Sequence, residues 1–446
     1  MIERPDGPAG WSATEAIRAR KSGRLSALDW ITRTFARIDA RDSEVRAWVH
    51  LMREGAIEEA RQHDRAGTLA GPLAGLPIGV KDVIDVAGVP TACKSPIEAD
   101  RVPARHAASV ERLAKAGAII VGKTVTTEYA FTEPGPTRHP EDPSRTPGGS
   151  SSGSAAAVAD FHVPAALTTQ TGGSTIRPAA YCGIIGYKPP FGYVPNDGLK
   201  MLAPSIDCIG IHARTVQDVA ALATVLEARD RPIKASDSPA FVVMRSFWQK
   251  TFSSDGIAAL ENAADLLRCA GAAVREMVAP EAILDANAAH RVIMSVEVAR
   301  TFAEIYVRDG QRLSASLRSF IERGQRATSI DLSSAYATVA HARVALLPLI
   351  AAGEIILMPA ATGEAPEGLG STGDAAANRI WSLLQLGAVT VPAGRGANGL
   401  PLGLQMIDPL PSGDRLLPAA AFAERTLDPH KNNRFGGDHE CGGGCQ

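Results

Sequence analysis

Two Gly-Gly-Ser turns lie close together in one stretch, Thr146 to Pro189, which reads TPGGSSSGSAAAVADFHVPAALTTQTGGSTIRPAAYCGIIGYKP. The first turn ends at Ser150, the second at Ser174, with an Ala-rich helical run and a short apolar segment between them. Serine hydroxyls delivered on glycine turns, where backbone amides can be bared, suit nucleophilic attack on a carbonyl with the resulting oxyanion held by N–H groups. A Gly/Ser-rich segment can also be a linker. Linkers do not run straight into AAAVA and IRPAAYCGIIGY, so the stretch is read as part of the core.

The 446 residues exceed the usual single core, which allows several domains or one large α/β unit. Lys and Arg number 46 against 48 Asp and Glu, a net charge of -2, and no long basic block is present. Nucleic acid and membrane surfaces are therefore not expected as partners. Six cysteines (Cys93, Cys182, Cys208, Cys269, Cys441, Cys445) are scattered at no framework spacing behind a polar N-terminus, which predicts reduced thiols in a cytoplasm. The apolar tract from Val344 to Ala361 is broken by Pro348, Gly353 and Glu354, so a lipid-facing span is not expected there.

From Trp11 to Trp48, apolar residues such as Ile17, Leu28, Ile31, Phe35 and Ile38 recur with helical period, and Ser26 has the character of a helix start. The run LPIGVKDVIDV then reads as buried strand, turn and strand, with Lys81 at its middle. Two readings of Lys81 stand. Its ammonium snorkels or pairs with Asp82 or Asp85, or it is a desolvated amine whose pKa falls until it can act as a base.

Two motif matches are decoys. Gly117 to Thr124, GAIIVGKT, fits the phosphate-loop pattern, but its four variable positions are Ala-Ile-Ile-Val, a buried strand entered from a helix at Ser109 to Lys115. Gly149 to Gly153 fits the nucleophile-elbow pattern around Ser151, yet a polar loop precedes it where a hydrophobic strand is required. No lysine has a serine three positions earlier, which disfavours penicillin-binding chemistry, and none of His212, His290, His341, His430 and His439 has a local setting that marks a catalytic base.

Taken together, GPLAGLPIGVKDVIDVAGVPTA, GAIIVGKTVTTEYAF, TPGGSSSGSAAAVA, TGGSTIRPAAYCGIIGYKP, SIDCIG and VPAGRGANGLPLGLQ resemble, in order, the amidase signature family of Ser-cisSer-Lys amide hydrolases. The resemblance runs from about Trp11 to Glu424. It implies Lys81 as base, Ser150 as a serine with a cis peptide bond, and Ser174 as nucleophile. Thr171, Gly172 and Gly173 match the family's oxyanion-hole segment, and Ser151, Gln170 and Arg177 fall at supporting positions. A serine can stand between amine and nucleophile because its hydroxyl donates and accepts at once. The resemblance also implies an α/β fold with a single large mixed β-sheet covered by helices on both sides, no cofactor or metal, and a small-molecule amide substrate.

The sequence departs from the common family pattern where many members read Asp-Thr-Gly-Gly-Ser-x-Arg. Here Gln170 takes the acidic place and the arginine comes one step later, at Arg177. A rewired support for the oxyanion loop is expected.

Residues 1–429 are expected to form the amidase domain. Within it, 10–60 are N-terminal helices with a possible homodimer contact, and 229–354 are a variable helical region that shapes the substrate pocket. The tail 430–446, which holds His439, Cys441 and Cys445, is expected to be mobile. The preferred function is a free-standing amidase. The alternatives are the glutaminase subunit of a tRNA-dependent amidotransferase, or a member that transfers the acyl group to an amine.

Overall fold

A computed structural model describes residues 4–66, 71–229, 238–245 and 251–427. Eleven strands form one sheet: β1 Trp48–Leu51, β2 Pro77–Lys81, β3 Ile119–Thr124, β4 Ala165–Gln170, β5 Ile185–Lys188, β6 Cys208–Ala213, β7 Ala240–Arg245, β8 Ala273–Val278, β9 Ile355–Pro359, β10 Gly387–Arg395 and β11 Pro401–Asp408. Their spatial order is β1-β3-β2-β4-β6-β5-β10-β11-β9-β7-β8. β2 runs parallel to both β3 and β4, and β7 runs parallel to β8 and β9. The remaining pairs are antiparallel, so the sheet is mixed, as expected.

Its central strands β2, β3, β4, β5, β6 and β9 are buried along their whole length, because helices cover both faces. One cover is the helix Ala27–Val45 with the Ala-rich helix Ser152–Ala159, buried from Ser152 through Val158. Only alanine-sized side chains let a helix lie that close to a sheet on one side and other helices on the other.

The start at Ser26 is a true N-cap, its side chain accepting from Asp29 N. The helix at Ala108–Lys115 leads into the buried strand β3, as read from GAIIVGKT.

Three features differ from the sequence reading. First, LPIGVKDVIDV forms only one strand. After Lys81 the amides of Val83 and Ile84 turn back onto the Lys81 carbonyl, and Ile84 makes only an isolated bridge to Leu199. Second, strand β1 interrupts the N-terminal helices, beginning at Trp48 itself. Third, the helical region 229–354 also contributes β7 and the edge strand β8, whose outer face is exposed.

The tract Val344 to Ala361 is divided between the helix Leu347–Ala352, ended by left-handed Gly353, and β9. The helical run Ser329–Ala352 that overlaps it is long and apolar enough to cross a membrane by length and composition, with mean hydropathy 1.4. Ala335, Val339 and Ala342 of this run are buried in the cluster that includes Ile283, Ala286 and Ile293 of the helix Glu281–Thr301. Among the described residues Cys93, Cys182, Cys208 and Cys269 are free thiols. The tail 430–446, with His430, His439, Cys441 and Cys445, lies outside the described residues.

Candidate active site

Parallel pairing of β2 with β4 brings their carboxyl ends side by side, and this sets the position of Lys81. The side chain is fully buried, and its Nζ donates to Ser150 Oγ at 2.7 Å and to Thr169 Oγ1 at 2.7 Å. Burial holds this amine well below the ordinary lysine range. Asp207 pulls it partly back, and the charge of Arg177 pushes it down further.

The pairing alternative for Lys81 fails on geometry. Asp82 forms a buried ion pair with Lys123 at 2.9 Å and accepts from Cys93 N, while Asp85 is engaged by Arg101 at 2.7 Å. Lys123, the lysine of the phosphate-loop match, is thus a core counter-ion inside a strand.

Ser150 follows Gly149 through a cis peptide bond. Gly148, in the left-handed region at φ 84°, sits against Pro178 and Tyr181, where no Cβ would fit. Ser151 Oγ, at the head of the helix Ser152–Ala159, reaches the Thr169 carbonyl at 3.3 Å. It therefore ties the first turn to β4.

Ser174 follows the end of β4 by four residues and is 9% exposed. Among the described residues its hydroxyl takes no hydrogen bond, so the link from Ser150 to Ser174 is not closed. No acceptor among the described residues is paired with the N–H groups of Gly172, Gly173 or Ser174. These amides form a bare, ordered donor set.

The supports of this segment are divided in a way the motif did not reveal. Gln170 accepts through Oε1 from the amides of Thr175 and Ile176 at 2.9 and 3.0 Å, and donates through Nε2 to Ser382 Oγ. Ser382 in turn donates to the Gly172 carbonyl. A neutral amide thus satisfies the start of the helix Ile176–Tyr181 and holds the loop behind it. Arg177 points elsewhere: its Nη2 donates to the Gly149 carbonyl at 2.8 Å and to Thr372 Oγ1 at 3.1 Å.

Several residues that the sequence did not single out complete the site. Asp207, which lies within SIDCIG, is buried and accepts from the Thr171 hydroxyl and from the amides of Leu202 and Ala203. Burial raises its carboxyl to about 6, against the pull of these hydrogen bonds. His290 is a core histidine whose Nε2 lies 3.4 Å from the Thr171 carbonyl, and burial lowers its pKa to about 4. The loop Thr372 to Asn378 overlies the glycines. A Cβ on Gly173 would come within 2.4 Å of Asn378 Oδ1, and one on Gly149 within 2.7 Å of Thr372 Cγ2. A buried acid in an apolar run is the one signal that could have marked Asp207 in advance. Among the described residues no group of His, Cys, Asp or Glu could hold a metal ion.

Comparison with known proteins matches the family model described as Amidase to residues 29–417. A glutamyl-tRNA(Gln) amidotransferase subunit of Carboxydothermus hydrogenoformans is 43% identical over 228 residues, 49% of this chain and 47% of the relative. Its counterpart in Exiguobacterium sp. is 35% identical over 319 residues, 66% of each chain. This chain thus spans about half to two thirds of the length of the curated relatives it matches. Among solved structures, one described as "Crystal structure of amidase" superposes with TM-score 0.87 and 29% identity over 94% of this chain and 100% of the other. A chain from a vestigial protein complex, reported for the origins of an s-triazine catabolic enzyme, gives 0.84 and 27% over 93% and 98%. The ordered motifs, the mixed sheet and these matches together make the chain a member of the amidase signature family.

Proposed function

We propose that this chain cleaves a carboxylic amide through an acyl-enzyme on Ser174. In this reading Ser174 Oγ attacks the carbonyl carbon, its proton passes to Ser150 Oγ, and the Ser150 proton passes to the neutral amine of Lys81. The N–H groups of Thr171, Gly172, Gly173 and Ser174 receive the oxyanion. Collapse expels the amine, which takes a proton back along the same route, and water then hydrolyses the ester.

The observation that carries the reading is the 2.7 Å hydrogen bond from Lys81 Nζ to Ser150 Oγ, made by a buried amine that no carboxylate among the described residues pairs with directly. The Ser150–Ser174 step closes in the reacting complex; catalytic hydrogen bonds commonly tighten only there. Labelling with a fluorophosphonate probe tests the assignment. Ser174 in the wild type should carry the adduct, Ser174→Ala none, and Lys81→Ala should label far more slowly. An adduct on another residue, or undiminished labelling of Ser174→Ala, sinks it.

A second reading has a specific observation behind it: the curated relatives are named as one of the subunits of glutamyl-tRNA(Gln) amidotransferase. That name favours a glutaminase subunit over the free-standing amidase that the sequence analysis prefers. Against it stand Gln170 and Arg177, which depart from the usual brace. The chemistry at Ser174 is the same in both readings; they differ in the fate of the released ammonia. Glutamine hydrolysis that rises on adding a copurifying partner supports the subunit. Turnover of several amides by the isolated chain supports the amidase. Hydroxamate formed with added hydroxylamine reports acyl transfer.

A further inference from the structure

Beside the segment Thr171 to Ser174, the charge of Arg379 acts on Arg177 and that of Arg291 on Arg379. Arg177 is 5% exposed and, among the described residues, donates to the Gly149 carbonyl and the Thr372 hydroxyl. Arg291 is exposed and makes no ion pair among the described residues. Arg379 bridges the two elements that flank the segment. Its guanidinium bonds Asp374, on the loop whose Ala375 would meet a Cβ on Gly172 or Gly173, and Asn287 at 3.4 Å. Asn287 stands one turn before His290, which reaches Thr171, on the helix Glu281–Thr301.

The Arg379 side chain is 13% exposed, whereas its partner Asp374 is 52% exposed. The guanidinium is therefore the more buried half of the pair and the carboxylate the solvent-facing half. Lys81 and His290, the other basic groups nearby, are held toward their neutral forms by burial. The carboxylate of Asp207 is occupied by Thr171, Leu202 and Ala203. Among the described residues, Asp374 is thus the carboxylate paired with Arg379.

We propose that Arg379 determines specificity by receiving a carboxylate of the substrate in exchange for Asp374, so that the amides processed at Ser174 are ones that also bear a carboxylate. The planar guanidinium suits this group, since it forms paired N–H···O bonds to a carboxylate, and Asp374 already occupies the position as an internal stand-in. The inference rests on the Ser174 reading and deepens it.

The test uses the rate of fluorophosphonate labelling of the full chain, slowed by either of two ligands of similar size: succinamate, which carries a carboxylate, or butyramide, which does not. In the wild type, succinamate should protect at a concentration at least about tenfold lower than butyramide. Arg379→Gln should bring that ratio toward one. Asp374→Asn should raise it, because the internal competitor loses its charge. If the pair is only a brace for the loop, both variants shift the ratio in the same direction, and the inference fails. A wild-type ratio near one also overturns it, while the Ser174 reading survives on the label itself. Absence of any adduct on Ser174 removes both.

Discussion

Arg177 donates to the carbonyl oxygen of Gly149, 28 positions earlier, at 2.8 Å, and so holds the peptide unit that carries Ser150. Gln170 holds the second serine turn through the Thr175 and Ile176 amides, while Arg177 braces the first. Arg177→Met should therefore act on catalysis more than on folding. It removes a buried cation that no carboxylate among the described residues contacts, which offsets the roughly 1 to 3 kcal/mol lost by leaving the Gly149 carbonyl unpaired. A misplaced Ser150 should lower the labelling rate of Ser174 by about a hundredfold. Thermal unfolding and labelling, measured on the same variant, check the split. Equal losses in both would show that Arg177 is a packing residue.

Lys81 has a consequence for pH. In the proposed relay only the unprotonated amine can take the Ser150 proton, and burial holds Lys81 well below the usual lysine range. Labelling of Ser174 should rise with pH and reach its plateau well below the pH at which an ordinary lysine loses its proton. Over the window between the depressed folded value and the ordinary unfolded one, the unfolded chain binds more protons. Stability therefore increases with pH there and is lost on acidification. Lys81→Met should flatten both dependences, and a labelling profile unchanged in that variant would contradict the role of Lys81.

How much of this site could be read from the chain depends on how far its members are spread along it. Ser150, Ser174 and the oxyanion glycines share one stretch, and Lys81 sits in a run whose apolar company makes a lysine conspicuous. Thr169, Asp207, Thr372 and Asn378 carry no such mark, since each becomes part of the site only when β4, β6 and the loop before β10 come together in the sheet. The same holds for the fold. The buried strands β2 and β3 show as apolar runs, whereas β1 is short and half-exposed and β8 is an exposed edge, so neither has a strong period-two pattern. The second half of LPIGVKDVIDV turns because Asp82 is bonded to Cys93 N and paired with Lys123, a tertiary demand that outweighs β-propensity.

Asp207 is expected to report on the oxyanion segment through its own titration. Its carboxyl is raised from 3.8 to about 6, burial being the larger cause, so between those values the folded state binds the extra proton. Stability from this group is therefore present at low pH and declines as pH rises through that window. Asp207→Asn should remove this component of the pH–stability curve. It should also cost about 1 to 3 kcal/mol, because a single amide oxygen cannot satisfy both Thr171 and the Leu202 and Ala203 amides. Urea unfolding of both proteins from pH 4 to 7 checks it, and parallel curves would show that Asp207 does not titrate there.

The two glycines of the second turn should respond differently to a methyl group. A Cβ on Gly173 would lie 2.4 Å from Asn378 Oδ1 and 3.1 Å from both Asn378 Cβ and Ala375 Cβ. Asn378 cannot yield, since its Nδ2 is already bonded to the Ala360 carbonyl and to Gln405 Oε1 at 2.9 Å each. A Cβ on Gly172 would meet only Ala375 Cβ, at an ordinary 3.7 Å. Gly173→Ala should therefore lower stability by about 1 to 3 kcal/mol through overpacking, and should displace the loop that overlies the glycines. Gly172→Ala should unfold close to the wild type, with any loss confined to the labelling rate of Ser174. Thermal unfolding of the two variants side by side decides the matter. A Gly172 variant as unstable as the Gly173 variant would mean that the loop from Thr372 to Asn378 does not sit against the glycines as described.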